Sequence, residues 1–427
     1  MKKFLDLGLQ PLANSYLIKK NLNSKEKKFR LEVGFDPQNY LVSILNTVSK
    51  EKMFNKDYPY KSSESFTMKN SFRNLSKKIK KVFKPKKILE IGSNDGVFIK
   101  NFNKNHVIGV EPCKNLALIT KKKGFEIFSE YWNFDLAKKI KKRNNIDLIY
   151  SANTLSHIRN YNEIFKAIRF TLSDKGVLIL EDPSLLECLK KGAYDQFYCE
   201  HIYVFSTIAV NKILKKFNLE IFDIENTKTH GGSNRYYIKK INNNFYDISR
   251  NVKKNINNEK KFGLHKFSTY LKFAKKVKNS KKKLNDIVKK IKQNQGNIIG
   301  YGATAKSCTV LNYCNINYKT IDFFYDTTSY KINKYFYTGY KEFAGAVCYA
   351  LTSNTAKQLL TRFYPIQVAA DGAIALFSTT KFARKFYNSY VIKPFLAEKT
   401  IFDSQIDEEN PKLSKYKTRK QRYKMHS

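Results

Sequence analysis

Glu200 and His201 stand side by side in QFYCEHIYVFS, residues 196–206, with Tyr198, Tyr203 and Phe205 around them. Titratable side chains among apolar neighbours cost free energy unless they are paired or used. Two readings follow. The pair is either a partly buried ion pair capping a helix, or an acid–base pair at work in a dry pocket. An imidazole suits proton transfer because its ordinary pKa lies near the pH at which enzymes operate.

Four other stretches could do chemistry. EIGSNDG (90–96) places Glu90, Gly92, Asn94 and Gly96 where a strand would end and a helix begin. Glycines at such a turn let backbone N–H groups approach a ligand. The spacing is GxxxG, not the GxGxxG of dinucleotide binders. Glu111 closes the next strand, where a carboxylate can grip two ribose hydroxyls. That combination fits S-adenosylmethionine better than a dinucleotide, although a purely structural turn would look similar. SANTLSHI (151–158) brings Asn153 and His157 to the same rim. THGGSNRYY (229–237) offers His230, Gly231, Gly232 and Arg235, suited to an anionic or hydroxyl-rich substrate or to a tight turn. GYGATAKS (300–307) carries Tyr301 and Lys306, as a phosphate contact or as a bare helix start.

The elements that must position these residues alternate. KKILEIG (86–92), HVIGVEP (106–112), IDLIYSA (146–152) and GVLILEDP (176–183) read as strands separated by helices, which predicts a parallel, doubly wound α/β sheet. The glycines of 92–96 are expected to open a helix through Phe98–Phe102. LEIFDIEN and NRYYIKK look like a strand pair completing the sheet. The division expected is an irregular N-terminal lobe over 1–80, with LGLQPLANSYL as loop and turn. A cofactor domain follows over 81–242, then a helical connector over 243–295 and an incomplete α/β domain over 296–343. Residues 344–427 form a tail of different character.

The chain has 427 residues, 42% hydrophobic and 14% aromatic, enough for two or three folded domains. Its net charge of +44 would suit an anionic partner. The lysines are scattered rather than striped, and no aromatic–basic recognition motif appears, so nucleic acid is not expected. None of the six cysteines forms a CxxC pair. No signal-peptide-like start and no run of membrane-spanning length appears, which predicts a cytoplasmic protein without a membrane span.

Taken in order, LGLQPLAN, YPYKSSES, EIGSNDG, GVEP, ANTLSHI, EDPSLL, FYCEH, THGGSNR and GYGATAKS resemble bacterial nucleotide-sugar C-methyltransferases, most closely those that methylate C3 of 4-keto deoxysugars. The resemblance spans residues 4–335. It implies a Rossmann-like S-adenosylmethionine domain between a zinc-binding lobe and a C-terminal α/β domain. It implies His201 as base, with Glu200, Tyr198 and His157 in the same site and Tyr58 or Tyr60 closing it from the N-terminal lobe. Glu90, Gly92, Asn94 and Glu111 match cofactor positions, and Gly96 and Asn153 join them at the rim. A nucleotide-sugar partner, other polysaccharide-synthesis enzymes and a homo-oligomer are in keeping with such a family.

Two departures stand out. The family's zinc lobe carries two CxxC pairs. Here the chain starts after the first, and the second would fall in EVGFDPQNYLV, which has no cysteine. No zinc is therefore expected. Beyond about Tyr335, KEFAGAVCYALTSNTAKQLLTRF and DGAIALF (with Asp371) resemble the end of glycosyltransferase family 25, without its donor-binding half. The expected function is S-adenosylmethionine-dependent C-methylation of a nucleotide-linked 4-keto deoxysugar. The alternatives are a glycosyltransferase-related fusion or a non-catalytic remnant that only binds.

Overall fold

The computed structural model describes residues 1–18, 26–296, 298–321, 323–326, 328–331, 335–336 and 346–350. Its centre is a seven-stranded sheet. Strands β4 (Ile88–Ile91), β5 (Val107–Val110), β6 (Glu126–Phe128), β7 (Ile146–Ala152) and β8 (Leu172–Pro183) pair in parallel. The order is β6-β5-β4-β7-β8, so the chain reverses direction across the sheet at β4. ILEI and VIGV are buried throughout, as strands covered by helices on both faces must be. An antiparallel pair, β10 (Leu219–Thr227) and β11 (Ser233–Lys240), completes the edge beside β8. The expected Rossmann-like α/β fold is therefore present. The helix expected through Phe98–Phe102 is only a 3-10 turn, Ile99–Asn101, because Phe98 and Ile99 turn fully into the core below the sheet.

The N-terminal lobe is not irregular. Strands β1 (Lys2–Gln10), β2 (Phe29–Asp36) and β3 (Leu41–Ile44) form an antiparallel sheet that also takes in the short strand β9 (Tyr203–Val204). LGLQ belongs to β1. Two register shifts in the β1–β2 pairing break its alternation, so it reads as loop in one dimension. Phe35 stacks on Tyr270 at 4.5 Å, and Phe4 approaches the same ring at 5.0 Å.

Tyr270 lies on the helix Phe267–Gln293, which Gly263 (φ +92°) separates from Arg250–Phe262, so the connector is two helices. A third, small sheet contains β12 (Ile299–Tyr301), β13 (Phe323–Asp326), β14 (Tyr335–Phe336) and β15 (Ala346–Ala350). Except for β15, the tail from 344 to 427, with Asp371, lies outside the described residues. No described helix is long and apolar enough to cross a membrane.

Candidate active site

A cavity of about 940 Å³ opens where the three sheets meet. Its floor is the carboxyl edge of β4, β5 and β7, the switch point at which doubly wound folds bind ligands. Glu90, Gly92, Asn94, Glu111 and Asn153 line that floor. Gly92 holds φ +78°, and a Cβ there would lie 2.1 Å from Thr154 Oγ1. Asn94 is also left-handed (φ +49°), and its N–H donates to Glu111 Oε2 at 2.8 Å. The Cys113 N–H donates to Glu111 Oε1 at 2.8 Å. Glu111 is thereby fixed at the end of β5, on the cavity floor. Buried Glu90 keeps Oε2 without a protein partner, and burial beside Glu111 and Asp95 pushes its carboxyl well up. An orphaned carboxyl oxygen, a diol-gripping carboxylate and a loop with no room for a side chain fit the nucleoside and amino-acid ends of S-adenosylmethionine.

The opposite wall carries the acid–base residues. Tyr198 and the loop to His201 bring Glu200 and His201 to the cavity, both buried. They do not face each other. The His201 Nδ1–H donates to the Gln196 carbonyl at 2.9 Å, which leaves Nε2 to accept from the Tyr198 hydroxyl at 2.5 Å. Glu200 turns the other way. The Tyr58 hydroxyl donates to its Oε2 at 2.8 Å, and Asn14 Nδ2 donates to its Oε1 at 2.7 Å. Burial pushes the Glu200 carboxyl up to about 7 against these two donors. Burial, then the neighbouring His157 and Lys306, hold the His201 imidazole well below its usual range. His157 lies between Phe54 and His201, with ring centroids at 5.5 and 5.1 Å, and burial brings it down to about 3.

Tyr60, His230, Tyr301 and Lys306 also line the cavity. Asn153 Nδ2 meets His230 Nε2 at 3.2 Å, and Gln196 Nε2 donates to the His230 carbonyl at 2.8 Å. The remaining expected residues lie elsewhere. Gly96 (φ +81°) packs against Thr120. Gly232 lies against Glu187, and Lys191 donates to the Gly231 carbonyl. Arg235 is locked in a buried ion pair with Glu181 at 2.8 Å and reaches Glu225 at 3.2 Å. It binds strands together and offers no charge to the cavity. Asn14, Phe54 and Asn115 were not singled out by the sequence, because only the fold brings them to the site. Asn115 Nδ2 holds the Tyr58 carbonyl at 2.8 Å.

Three family models match in succession: "Putative zinc binding domain" over 1–54, "Methyltransferase domain" over 68–224 and "C-methyltransferase C-terminal domain" over 228–340. The C-methyltransferase NovU of Streptomyces niveus is 24% identical over 336 residues, 77% of this chain and 80% of NovU. Among solved structures, an S-adenosylmethionine-dependent methyltransferase of Clostridium acetobutylicum is 15% identical, covering 42% of this chain and 93% of its own, with a TM-score of 0.31. A Thermotoga maritima S-adenosylmethionine-dependent methyltransferase, 19% identical, covers 41% and 93% with a TM-score of 0.32. Residues 1–54 contain neither cysteine nor histidine. They do not fit the thiolate and imidazole ligands of a structural zinc.

Proposed function

The chain is an S-adenosylmethionine-dependent C-methyltransferase, and from that premise we propose that it methylates the carbon beside the ketone of a nucleotide-linked 4-keto deoxysugar. The observation that carries this reading is the single cavity shared by the cofactor floor and the Glu200–His201–Tyr198–Tyr58 cluster. A C–H beside a ketone is acidic because its carbanion delocalises as an enolate. Forming it needs a base, and donors for the growing oxyanion. His201, neutral and in contact with Tyr198 through Nε2, takes the proton as the Tyr198 hydroxyl turns from Nε2 to the growing oxyanion, while the Tyr58 hydroxyl stays on Glu200. Glu90, Gly92, Asn94 and Glu111 would hold S-adenosylmethionine, which would supply an electrophilic methyl group and leave as S-adenosylhomocysteine. Tyr301, Lys306 and His230 surround the part of the cavity left for sugar and diphosphate. The tail after about residue 344 is read as a join to a second surface-sugar gene of glycosyltransferase family 25 type.

A second assignment of the base has its own observation. Glu200, raised to about 7, has a higher proton affinity than His201, which is held below its usual range. In that version Glu200 takes the proton while His201 and Tyr198 steady the oxyanion. The test is incubation with labelled S-adenosylmethionine and a panel of 4-keto nucleotide sugars, with mass detection of the added methyl. His201→Ala is expected to bind cofactor and lose transfer. Deuterium exchange at the substrate carbon, run without methyl donor, reads the base alone. Exchange lost in Glu200→Gln but kept in His201→Ala moves that role to Glu200. No methylation of any 4-keto sugar refutes the substrate class.

A further inference from the structure

We infer that Asn14 is a positioning residue for this reaction: the N-terminal lobe delivers its amide to Glu200 and thereby sets the orientation and ionisation of that carboxyl group. The inference rests on the reading of Glu200 as part of the acid–base pair. Asn14 and Glu200 are 186 residues apart in the chain, yet Nδ2 and Oε1 lie 2.7 Å apart. The same amide group lies 3.5 Å from the Tyr58 hydroxyl, the donor to the other carboxylate oxygen. Two donors from the lobe and its following segment thus converge on one carboxyl group. An ionised carboxylate only accepts, so this arrangement selects the charged form.

The groups that face Glu200 leave this work to neutral donors. Tyr58 comes from the lobe side, Cys113 from the start of the helix Lys114–Lys121, and Tyr198 and Cys199 from Glu200's own loop. Each is pushed above its ordinary pKa, mainly by burial, and is uncharged near neutrality. His201 beside them is neutral as well. Burial alone would protonate the carboxyl, and the Tyr58 and Asn14 bonds oppose it. The placement of Asn14 is built in. Ala13 packs in a small apolar cluster with Val48, Met53 and Cys199, and the Tyr16 hydroxyl donates to the Ala303 carbonyl at 2.7 Å. Asn14 sits between these two anchors.

The test titrates Glu200 directly in the full chain, by infrared spectroscopy of protein labelled with 13C-glutamate. The Glu200 band is assigned by its loss in Glu200→Gln. Asn14→Leu keeps the size and removes the donor, and Asn14→Ala is a second variant if the first does not fold. Loss of a hydrogen bond to a charged group should raise the midpoint by about one pH unit or more. Asn14→Asp, which sets an acid against an acid, should raise it further. The acidic limb of kcat should follow the titration, with about a five-fold loss of kcat at pH 7. KM for S-adenosylmethionine should stay put. An unchanged midpoint in a folded Asn14→Leu or Asn14→Ala protein overturns the inference. Methyl transfer at the wild-type rate by Glu200→Gln overturns the functional reading instead, and the titration of the Asn14 variants is judged apart from it.

Discussion

Gly92→Ala tests the cofactor floor with one methyl group. Gly92 holds φ +78° at the end of β4, and its N–H donates to the Val110 carbonyl at 2.8 Å, so the loop is tied to β5. An alanine in that conformation costs about 1–2 kcal/mol. The new Cβ would meet Thr154 Oγ1 at 2.1 Å and Cγ2 at 2.5 Å, far inside contact distance. Thr154 must then turn away and give up its 3.0 Å bond to the Ala152 carbonyl, about 1 kcal/mol more. The strain of roughly 2–3 kcal/mol falls on the loop that carries Asn94 and its bond to Glu111. If the loop moves to relieve it, affinity for S-adenosylmethionine drops by about 30- to 150-fold. Isothermal titration reads the affinity, and thermal unfolding shows how much of the strain appears as lost stability. Adding Thr154→Gly removes the steric part and should restore about five-fold. A Gly92→Ala protein that binds within about three-fold of wild type at an unchanged melting temperature would refute the reasoning.

Three further outcomes are expected. His157, held down to about 3, stays neutral in the folded chain while the unfolded chain binds a proton below about 6.5. The folded state therefore binds fewer protons between those values. Stability is lost as pH falls through this window, by at most about 1.4 kcal/mol per pH unit. His157→Phe should flatten the fall in melting temperature from pH 7 to pH 4, and parallel curves would contradict this. Arg235→Leu strands the buried Glu181 carboxylate, at a cost of about 3–5 kcal/mol. It should lower the melting temperature sharply, and a stable variant with weakened substrate binding would return Arg235 to the site. Prolonged treatment with a zinc chelator should leave both activity and melting temperature unchanged, since residues 1–54 offer neither thiolate nor imidazole.

How much of this was legible depended on how local the signal was. ILEI, VIGV and the strands around them are continuous apolar runs, and a buried parallel sheet needs nothing else to be read. The turn at Gly92–Asn94 and the acid at Glu111 announce a ligand floor because residue type and strand end coincide. Glu200 and His201 were visible as a pair that needed a purpose. That they part company, one to Tyr58 and Asn14 and the other to Gln196 and Tyr198, is a property of the backbone turn between them. Asn14 and Phe54 carried no signal, since an amide and an aromatic ring in a polar segment look like any others. Arg235 misled for the same reason. Its charge was plain, but its partner Glu181 lies on the neighbouring strand, at the residue paired with it in register. The sheet of the N-terminal lobe was hidden by the bulges of β1, which shift the apolar residues off a strict period of two.

The N-terminal lobe bears on how the site is held. Where the second cysteine pair would fall, the chain runs from β2 through a turn into β3. Asp36 does the local work there: its oxygens accept from the Gln38 N–H at 2.9 Å and from Asn39 Nδ2 at 2.7 Å, while Tyr40 takes a left-handed conformation (φ +58°). The turn is fastened outward by Lys216, which donates to Asn39 Oδ1 at 2.8 Å, and by Lys212, 4.6 Å from the Tyr40 ring. A zinc knuckle closes a turn on itself. These contacts instead close it on the cofactor domain, as does the β3–β9 pairing, while the Phe35–Tyr270 stack ties the lobe to the connector helix. The pinning energy of the lobe is thus spread over interfaces with the rest of the chain. One of those interfaces is the active site, through Asn14, Tyr58 and Tyr16. Undocking the lobe would therefore remove both donors from Glu200 at once, so the lobe's attachment and the readiness of the acid–base pair are linked in the same free energy.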